Sequence, residues 1–180
     1  MKTLLKSFIA ILSLVAFSQT AKASLLVEPY LGYVSGKAKL SSSVNLTGTG
    51  YGARVGFSHM GFAAGVDYSA ASLKDDGSPS IDYKAGDLGL FVAFKFPVLV
   101  RAYVTYIPSP ELKANAGGAD FTYKSGNLVK LGVGFTGLPF VNLNLEYFSG
   151  TYGQINSLDI DPKLTTSGIA LSVSAPFNFL

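Results

Sequence analysis

The sequence contains no cysteine, a single histidine and few charged side chains. Without cysteine, the fold must be stable without disulfides, and it has no thiolate to bind a metal. Charged residues make up 14% of the chain, well below the quarter that is usual in a soluble domain. Such a composition is poorly suited to a surface that faces only water.

The sequence also lacks an apolar run long enough for a membrane-spanning helix. The apolar run SFIAILSLVAF at residues 7–17 has eleven residues, whereas a spanning helix needs about 20. It follows Lys2 and Lys6 and precedes the small residues Ala21 and Ala23, which is the order of a secretory signal peptide. We therefore predict a signal peptide at residues 1–23 and a mature domain at residues 24–180.

The formal net charge of +3 belongs to this leader, because Lys2, Lys6 and Lys22 leave with it. The remaining chain has 11 basic and 11 acidic side chains in 157 residues, which is enough for one domain. A strongly basic surface is the usual sign of nucleic-acid binding, so no nucleic-acid partner is expected.

What the chain does contain after Ser24 is alternation of apolar with small or polar residues, and no sustained helical period. This period of two predicts an all-β fold. The eight predicted strands are residues 25–36, 49–58, 61–70, 87–94, 100–106, 127–135, 141–148 and 168–179.

The predicted connections alternate between short and long. Tight turns are expected at residues 59–61, 95–98 and 137–139. Between them lie polar segments rich in Gly, Ser, Asn, Asp and Pro, which are typical of loops, at residues 37–49, 72–82, 108–126 and 149–163. The pattern predicts an eight-stranded antiparallel up-and-down transmembrane β-barrel with short periplasmic turns and long extracellular loops.

A soluble barrel of the lipocalin type would show the same alternation, with its apolar face inside. Side-chain volume favours the membrane barrel, because the bulky Leu, Val and Phe suit lipid and the small residues suit a narrow lumen. The outward aromatic residues also separate into two belts, as at the two membrane interfaces. The predicted tyrosine belt near the long loops is Tyr33, Tyr51, Tyr68, Tyr106 and Tyr147. The predicted phenylalanine belt is Phe57, Phe62, Phe94, Phe135, Phe140, Phe177 and Phe179.

With its export signal, eight strands and closing strand GIALSVSAPFNF, the chain resembles the small outer-membrane β-barrel proteins of Gram-negative bacteria, such as the membrane domain of OmpA, OmpX and OmpW. The resemblance implies contact with outer-membrane lipid and insertion by the barrel-assembly machinery. That machinery recognises a terminal aromatic residue in phase with the apolar face. Here the in-phase residues are Phe177 and Phe179, and Leu180 follows as an extra residue.

Few residues suggest chemistry. His59 falls in a predicted turn without a second imidazole or a cysteine, so a surface role is favoured over catalysis or metal binding. The acidic pair Asp75 and Asp76 could touch a divalent cation, although a solvated loop is the simpler interpretation. We therefore expect no catalytic residue, no metal site and no cofactor. A lipid-modifying membrane enzyme of this size is the alternative, and it would need a serine and a carboxylate beside His59.

The inward-facing charges are the most informative set: Glu28, Arg54, Asp67, Asp87, Arg101, Lys130 and Glu146. An isolated charge in a narrow lumen is costly to desolvate, so opposite charges there should pair. A turn at Met60 and Gly61 would place Arg54 opposite Asp67. A turn centred on Leu138 would place Lys130 opposite Glu146. Glu28 would then pair with Arg54 or, across the barrel, with Arg101.

Paired charges and a side-chain-filled interior predict a plugged barrel with a structural or interaction role, in which the extracellular loops hold any ligand. A narrow channel for small or hydrophobic solutes, the role attributed to OmpW, is the alternative. Binding of a polar solute by the lumen charges is a further functional interpretation.

Overall fold

The computed structural model describes residues 23–77, 80–117 and 119–179. The predicted signal peptide, apart from Ala23, and the extra terminal Leu180 lie outside the described residues. The described part of the chain is all-β and includes no helix long and apolar enough to cross a membrane.

Ten antiparallel strands form one sheet. They are β1 (Ser24–Lys39), β2 (Ser43–His59), β3 (Phe62–Asp75), β4 (Asp82–Lys95), β5 (Val100–Ile107), β6 (Glu111–Ala116), β7 (Ala119–Phe135), β8 (Asn142–Ile155), β9 (Leu158–Ser174) and β10 (Phe177–Phe179). Strands β5 and β6 both pair with β4 and β7. Together they make one barrel strand, which is interrupted at residues 108–110.

The sheet closes on itself because β1 pairs with β2 on one side and with both β9 and β10 on the other. Strands β9 and β10 are therefore one barrel strand interrupted at Ala175 and Pro176. Counted in this way, the structure is an eight-stranded up-and-down barrel, which confirms the predicted fold class. Strand β9 pairs with both β1 and β8, so the described sheet closes on itself, as a bilayer requires.

The first tight hairpin has the predicted register. Met60 and Gly61 adopt φ angles of 48° and 86°, the left-handed conformation that a two-residue hairpin turn requires. Arg54 is paired with Asp67 on the lumen side, and Val55 is paired with Val66 on the outer side. A two-residue turn with this geometry leaves no freedom to slip the strands past each other.

The lower half of the barrel, nearer the Met60–Gly61 turn, has an apolar outer face. Leu31, Leu90, Leu131 and Leu171 all point outward and are more than half exposed. The five belt tyrosines are about half exposed. Each is the cross-strand partner of an outward-facing residue on a neighbouring strand. Phe57, Phe62, Phe177 and Phe179 are exposed near the opposite end. The outer face is therefore an apolar band between two aromatic belts, as lipid requires.

The four polar segments predicted as loops are strand over most of their length. The connections at that end of the barrel are only residues 40–42, 76–81, 117–118 and 156–157. The strands reach up to 17 residues, whereas about 9 to 11 suffice to cross a bilayer. The hairpins thus extend beyond the tyrosine belt, and their strands continue to pair outside the apolar band.

Polarity inverts where the strands leave the apolar band. Above the tyrosine belt, Lys37 and Lys39 point outward while Ala38 between them is buried. Likewise Leu112 and Ala114 are buried on either side of the exposed Lys113. This inverted alternation keeps the segments in the sheet, and it explains why a polar composition did not produce loops.

The register of the second predicted hairpin was wrong. Phe135 pairs with Leu143, two residues away from the expected partner Val141, so Lys130 faces Phe148 and Glu146 faces Gly132. The reason lies in the connection, which spans residues 136–141 instead of a tight turn at Leu138. Thr136 continues the ladder by donating its N–H to the Leu99 carbonyl at 2.7 Å.

Candidate functional site: the lumen

All seven predicted inward charges point into the lumen and are at most 9% exposed: Glu28, Arg54, Asp67, Asp87, Arg101, Lys130 and Glu146. Five of them, Glu28, Arg54, Asp67, Arg101 and Glu146, form a connected network that we call the charged layer. Successive side chains of a strand point to opposite faces, and each of these five lies at a lumen-facing position of β1, β2, β3, β5 or β8.

Arg101 makes the most complete ion pair of the charged layer. Its two terminal nitrogens donate to the two Glu28 carboxylate oxygens at 2.6 and 2.5 Å. One of these nitrogens also donates to Asn144 Oδ1 at 2.8 Å, and Ser174 Oγ donates to Glu28 at 2.5 Å. A fork of two parallel bonds is the strongest arrangement of an arginine and a carboxylate. The pair spans the barrel from β1 to β5.

Arg54 lies among three carboxylates without a comparable fork. Its guanidinium nitrogens are 3.2 Å from Glu146, 3.5 Å from Asp67 and 3.9 Å from Glu28. Only the contact with Glu146 is a hydrogen bond, and Nε and Nη1 have no hydrogen-bond partner among the described residues. The attraction is therefore mainly Coulombic and is shared among several partners.

Two tyrosine rings, which sequence analysis did not assign to the site, complete the surroundings of Arg54. The guanidinium carbon lies 4.6 Å from the ring centre of Tyr30 and 4.2 Å from that of Tyr103. Tyr30 also donates to Asp67 at 2.7 Å. A cation between aromatic faces is stabilised by the ring quadrupole. The sequence did carry a signal for these rings. Tyr30 lies two residues from Glu28 and Tyr103 two residues from Arg101, so each tyrosine shares the lumen face of its strand with a charge.

Lys130 and Asp87 lie nearer the tyrosine-belt end and do not join the charged layer. Lys130 Nζ donates to Ser69 Oγ at 2.6 Å, and Asp87 accepts the Glu111 N–H at 3.3 Å. Neither forms an ion pair with a described residue. The predicted pair of Lys130 with Glu146 is therefore not formed, because the two-residue change in register separates them.

An apolar cluster lies in the lumen above the charges. This apolar cap consists of six buried side chains from β1, β2, β3, β6, β8 and β9: Ala38, Leu46, Leu73, Leu112, Tyr152 and Leu164. Tyr83 and Tyr123 pack against the cap and are partly buried, and burial raises the pKa of both phenols. The cap was not predicted, since the segments that supply it were interpreted as loops.

Two cavities lie on either side of the charged layer. The lower one, about 380 Å³, opens near the Met60–Gly61 turn and reaches Glu28, Arg54 and Arg101. The upper one, about 100 Å³, lies between the charges and the apolar cap and is lined by Lys130 and Asp87. The upper volume would hold only a few waters. The lumen therefore consists of two chambers separated by ion-paired side chains.

The residues considered for chemistry are placed apart. His59 ends β2 at the rim, whereas the buried carboxylates lie in the lumen. Asp75 accepts the N–H groups of Gly77 and Ile81, at 3.3 and 2.7 Å. Asp76 accepts two bonds from Asn45, which hold the pKa of this carboxyl below its usual range. No group of three metal-binding side chains occurs within residues 23–77, 80–117 and 119–179.

No family model and no curated protein matches this chain. Its fold is similar to that of Neisserial surface protein A (NspA), with a TM-score of 0.62 and 22% identity over 84% of this chain and 97% of NspA. It is also similar to Ail, the attachment invasion locus protein of Yersinia pestis, solved with the heparin analogue sucrose octasulfate. That match has a TM-score of 0.60 and 14% identity, over 85% of this chain and 99% of Ail. The chain therefore has the fold of the small eight-stranded outer-membrane β-barrel proteins.

Proposed function

We propose that this protein is an integral outer-membrane barrel with a closed lumen, whose role is structural or interactive. It is exported by its signal peptide and contacts other molecules through its projecting hairpins and its lipid-facing surface. The apolar band between two aromatic belts supports the membrane location. The observation that carries the closed lumen is its double obstruction, by the charged layer and by the apolar cap.

The two obstructions differ in chemistry, and this difference supports the proposal. Ions crossing the lumen would have to break the bidentate pair of Arg101 with Glu28 and then enter a cluster of leucines. Breaking a buried pair leaves an uncompensated charge, which costs about 3 to 5 kcal/mol. An apolar constriction adds a dewetting barrier for ions.

Single-channel recording in planar bilayers tests the closed lumen. The wild-type barrel should show no frequent discrete openings, because both obstructions persist. Recording should be paired with a gel-mobility assay for the folded barrel, so that an empty trace is not due to unfolded protein. Frequent stepwise conductance from folded wild-type protein would contradict the proposal.

A narrow conduit for small or hydrophobic solutes is the second candidate. The two chambers favour it, because only the charged layer separates the lower cavity from the upper one. Arg54, with two nitrogens that lack hydrogen bonds, is the arginine of that layer without a bidentate fork. If this candidate is correct, Arg54→Ala should increase solute flux into vesicles more than Arg101→Ala does.

The proposal includes no enzymatic role. His59 lies beside the Met60–Gly61 turn, while the lumen carboxylates are engaged by Arg54 and Arg101. A hydrolytic site needs these groups within hydrogen-bond reach of one another. Detectable lipase or acyltransferase turnover by the purified barrel, lost in His59→Ala, would contradict this part of the proposal.

A further inference from the structure

Three lysines surround one glutamate on the outer face of β4, β6 and β7. We call Lys84, Lys113, Lys124 and Glu111 the lysine face. The lysines point away from the lumen, because Leu112 and Tyr123 between them pack into or against the apolar cap. Lys113 and Lys124 retain 60% and 54% of their side-chain exposure. The lysine face is therefore on the outside of the barrel wall.

The lysine face has an unbalanced positive charge. Glu111 accepts both Lys113 and Lys124 at 2.9 Å, so one carboxylate serves two ammonium groups. These two contacts hold the pKa of Glu111 below its usual range, with Lys124 contributing most. Lys84 forms no ion pair with any residue that the structure describes. Within the lysine face three positive charges therefore face one negative charge, and Asp82, two residues from Lys84 on β4, is paired with Lys74 at 3.6 Å.

The register makes this arrangement unfavourable by itself. Lys84 on β4 and Lys113 on β6 are direct cross-strand partners, and both point outward. Cβ atoms of such partners are about 4.5 to 5.5 Å apart, and like charges at that position destabilise a sheet. An anion held between the two ammonium groups would remove the repulsion. The geometry is thus that of a two-pronged anion site.

The height of the lysine face identifies the environment of that anion. Leu88, which is lipid-facing and paired with Tyr68 of the tyrosine belt, lies four residues below Lys84. Four residues span about 13 Å of strand, or about 10 Å of height at the usual tilt. The headgroup layer is about 5 to 8 Å thick. Lysine side chains that bend towards the membrane therefore reach the level of lipid phosphates.

A glycine lies between the apolar band and the lysines on the outer face of β4. Gly86 is the outward residue between Leu88 and Lys84, and a Cβ atom at its position would meet no atom within 4 Å. Its cross-strand partner is Glu111. Lys84 can thus bend down over the glycine, with Glu111 as the neighbouring outward side chain.

We propose that the lysine face binds the phosphate group of an outer-leaflet lipid, with Lys84 and Lys113 as the two prongs. This inference rests on the proposed outer-membrane location and orientation. Carboxylates at the hairpin tips, namely Asp75, Asp76, Asp120 and Asp159, favour a lipid over a soluble polyanion. They would repel a polyanion arriving from solution, whereas a lipid approaches along the barrel wall from below.

The test is a native mass-spectrometry titration of the folded barrel with bisphosphorylated lipid A. Lys84→Gln/Lys113→Gln should weaken binding roughly 25-fold, at about fivefold per lysine near an anionic surface. Lys37→Gln/Lys39→Gln removes the same charge from the outer face of β1, where neither lysine has a lysine as cross-strand partner, and should weaken binding less than the first double variant does. Glu111→Gln should tighten binding, since it removes the competing carboxylate.

Several outcomes would overturn the proposal. Equal losses in the two double variants would indicate general surface charge, and equal binding of dephosphorylated lipid would indicate acyl-chain contacts only. If Lys84→Gln/Lys113→Gln lost binding of sucrose octasulfate but kept binding of lipid A, the lysine face would be a site for a soluble polyanion. If the double variant fails to fold, Lys84→Gln and Glu111→Gln must still change affinity in opposite directions. The planar-bilayer result does not depend on these lysines, so failure here leaves the closed barrel intact.

Discussion

Arg101 and Glu28 face each other across the barrel interior and share two hydrogen bonds, at 2.6 and 2.5 Å, although 73 residues separate them in the chain. The pair joins β5 to β1, which are not neighbours in the sheet. It therefore ties opposite walls together, which no cross-strand backbone bond can do. Asn144 and Ser174 bind the same pair from β8 and β9.

We expect removal of either partner of this pair to destabilise the barrel strongly. Arg101→Met or Glu28→Leu should each cost about 3 to 5 kcal/mol, because the remaining charge is buried and unpaired. The double variant should recover much of that loss, since desolvation offsets most of the attraction. Urea unfolding in lipid vesicles provides the double-mutant cycle. The exposed pair Lys74–Asp82 is the control and should show coupling below about 1 kcal/mol. Additive effects at positions 28 and 101 would contradict the pairing.

Removal of Arg54 should cost more than removal of its predicted partner Asp67. Arg54→Met leaves three carboxylates close together with one arginine, whereas Asp67→Asn preserves hydrogen-bonding capacity towards Tyr30 and Thr105. We expect a cost of about 3 to 5 kcal/mol for Arg54→Met and a smaller one for Asp67→Asn. The same unfolding assay compares the two. A larger effect of Asp67→Asn would show that Glu28 and Glu146 do not depend on Arg54.

Leu145 tests which solvent the outer wall faces. It is 46% exposed and pairs with Val133 between the two aromatic belts, so Leu145→Arg should cost about 2 to 4 kcal/mol if the side chain meets the bilayer midplane. Leu158 is 71% exposed at a hairpin tip, so Leu158→Arg is the matched control and should be close to neutral. Equal costs at the two positions, measured by unfolding in lipid, would argue against the membrane band. Purification of the wild type without detergent would do the same.

The orientation can be measured directly because the chain has no native cysteine. A membrane-impermeant maleimide added to intact cells should label Ser157→Cys at a hairpin tip and spare His59→Cys beside the Met60–Gly61 turn. Both positions should react after the cells are opened, which controls for folding and access. Labelling of position 59 from outside the intact cell would reverse the proposed orientation.

Glu111 should titrate below the ordinary glutamate pKa of 4.5, because Lys124 and Lys113 stabilise its charged form. A carboxyl whose pKa is lowered by folding stabilises the fold above its unfolded-state pKa, and this contribution is lost as pH falls through the folded value. NMR titration of the Glu111 carboxyl measures the shift. Lys124→Gln should raise the pKa towards its normal value, and Lys95→Gln at the opposite end should not. An unchanged pKa in Lys124→Gln would show that the ion pair does not persist in solution.

Part of the lumen site could be predicted from the chain alone. The phase of each strand turned Glu28, Arg54 and Asp67 inward, and the two-residue turn at Met60 and Gly61 set the register that pairs Arg54 with Asp67. Short turns carry this information because their conformation restricts the strands beside them. The wider connection at residues 136–141 does not, and the predicted facing of Lys130 and Glu146 failed there by two residues.

The apolar cap shows a different limit. Leu46, Leu73 and Leu112 lie in segments whose composition is that of loops, and their alternation with polar residues was the only signal of strand. The sequence of one such segment does not distinguish a strand with inverted polarity in water from an irregular loop. Apolar neighbours from distant strands are what stabilise each segment as a strand. The cap therefore follows from the closed barrel and not from any one hairpin.

The amino-acid sequence by itself determined that the chain alternates with a period of two, which side chains share a face, and where the apolar band and its aromatic belts begin and end. These properties depend on neighbours along one strand. The tertiary structure decided which charges meet, because Arg101 reaches Glu28 only when the sheet closes and brings β5 opposite β1. Contacts across a lumen depend on barrel diameter and strand stagger, and these are properties of all eight barrel strands together.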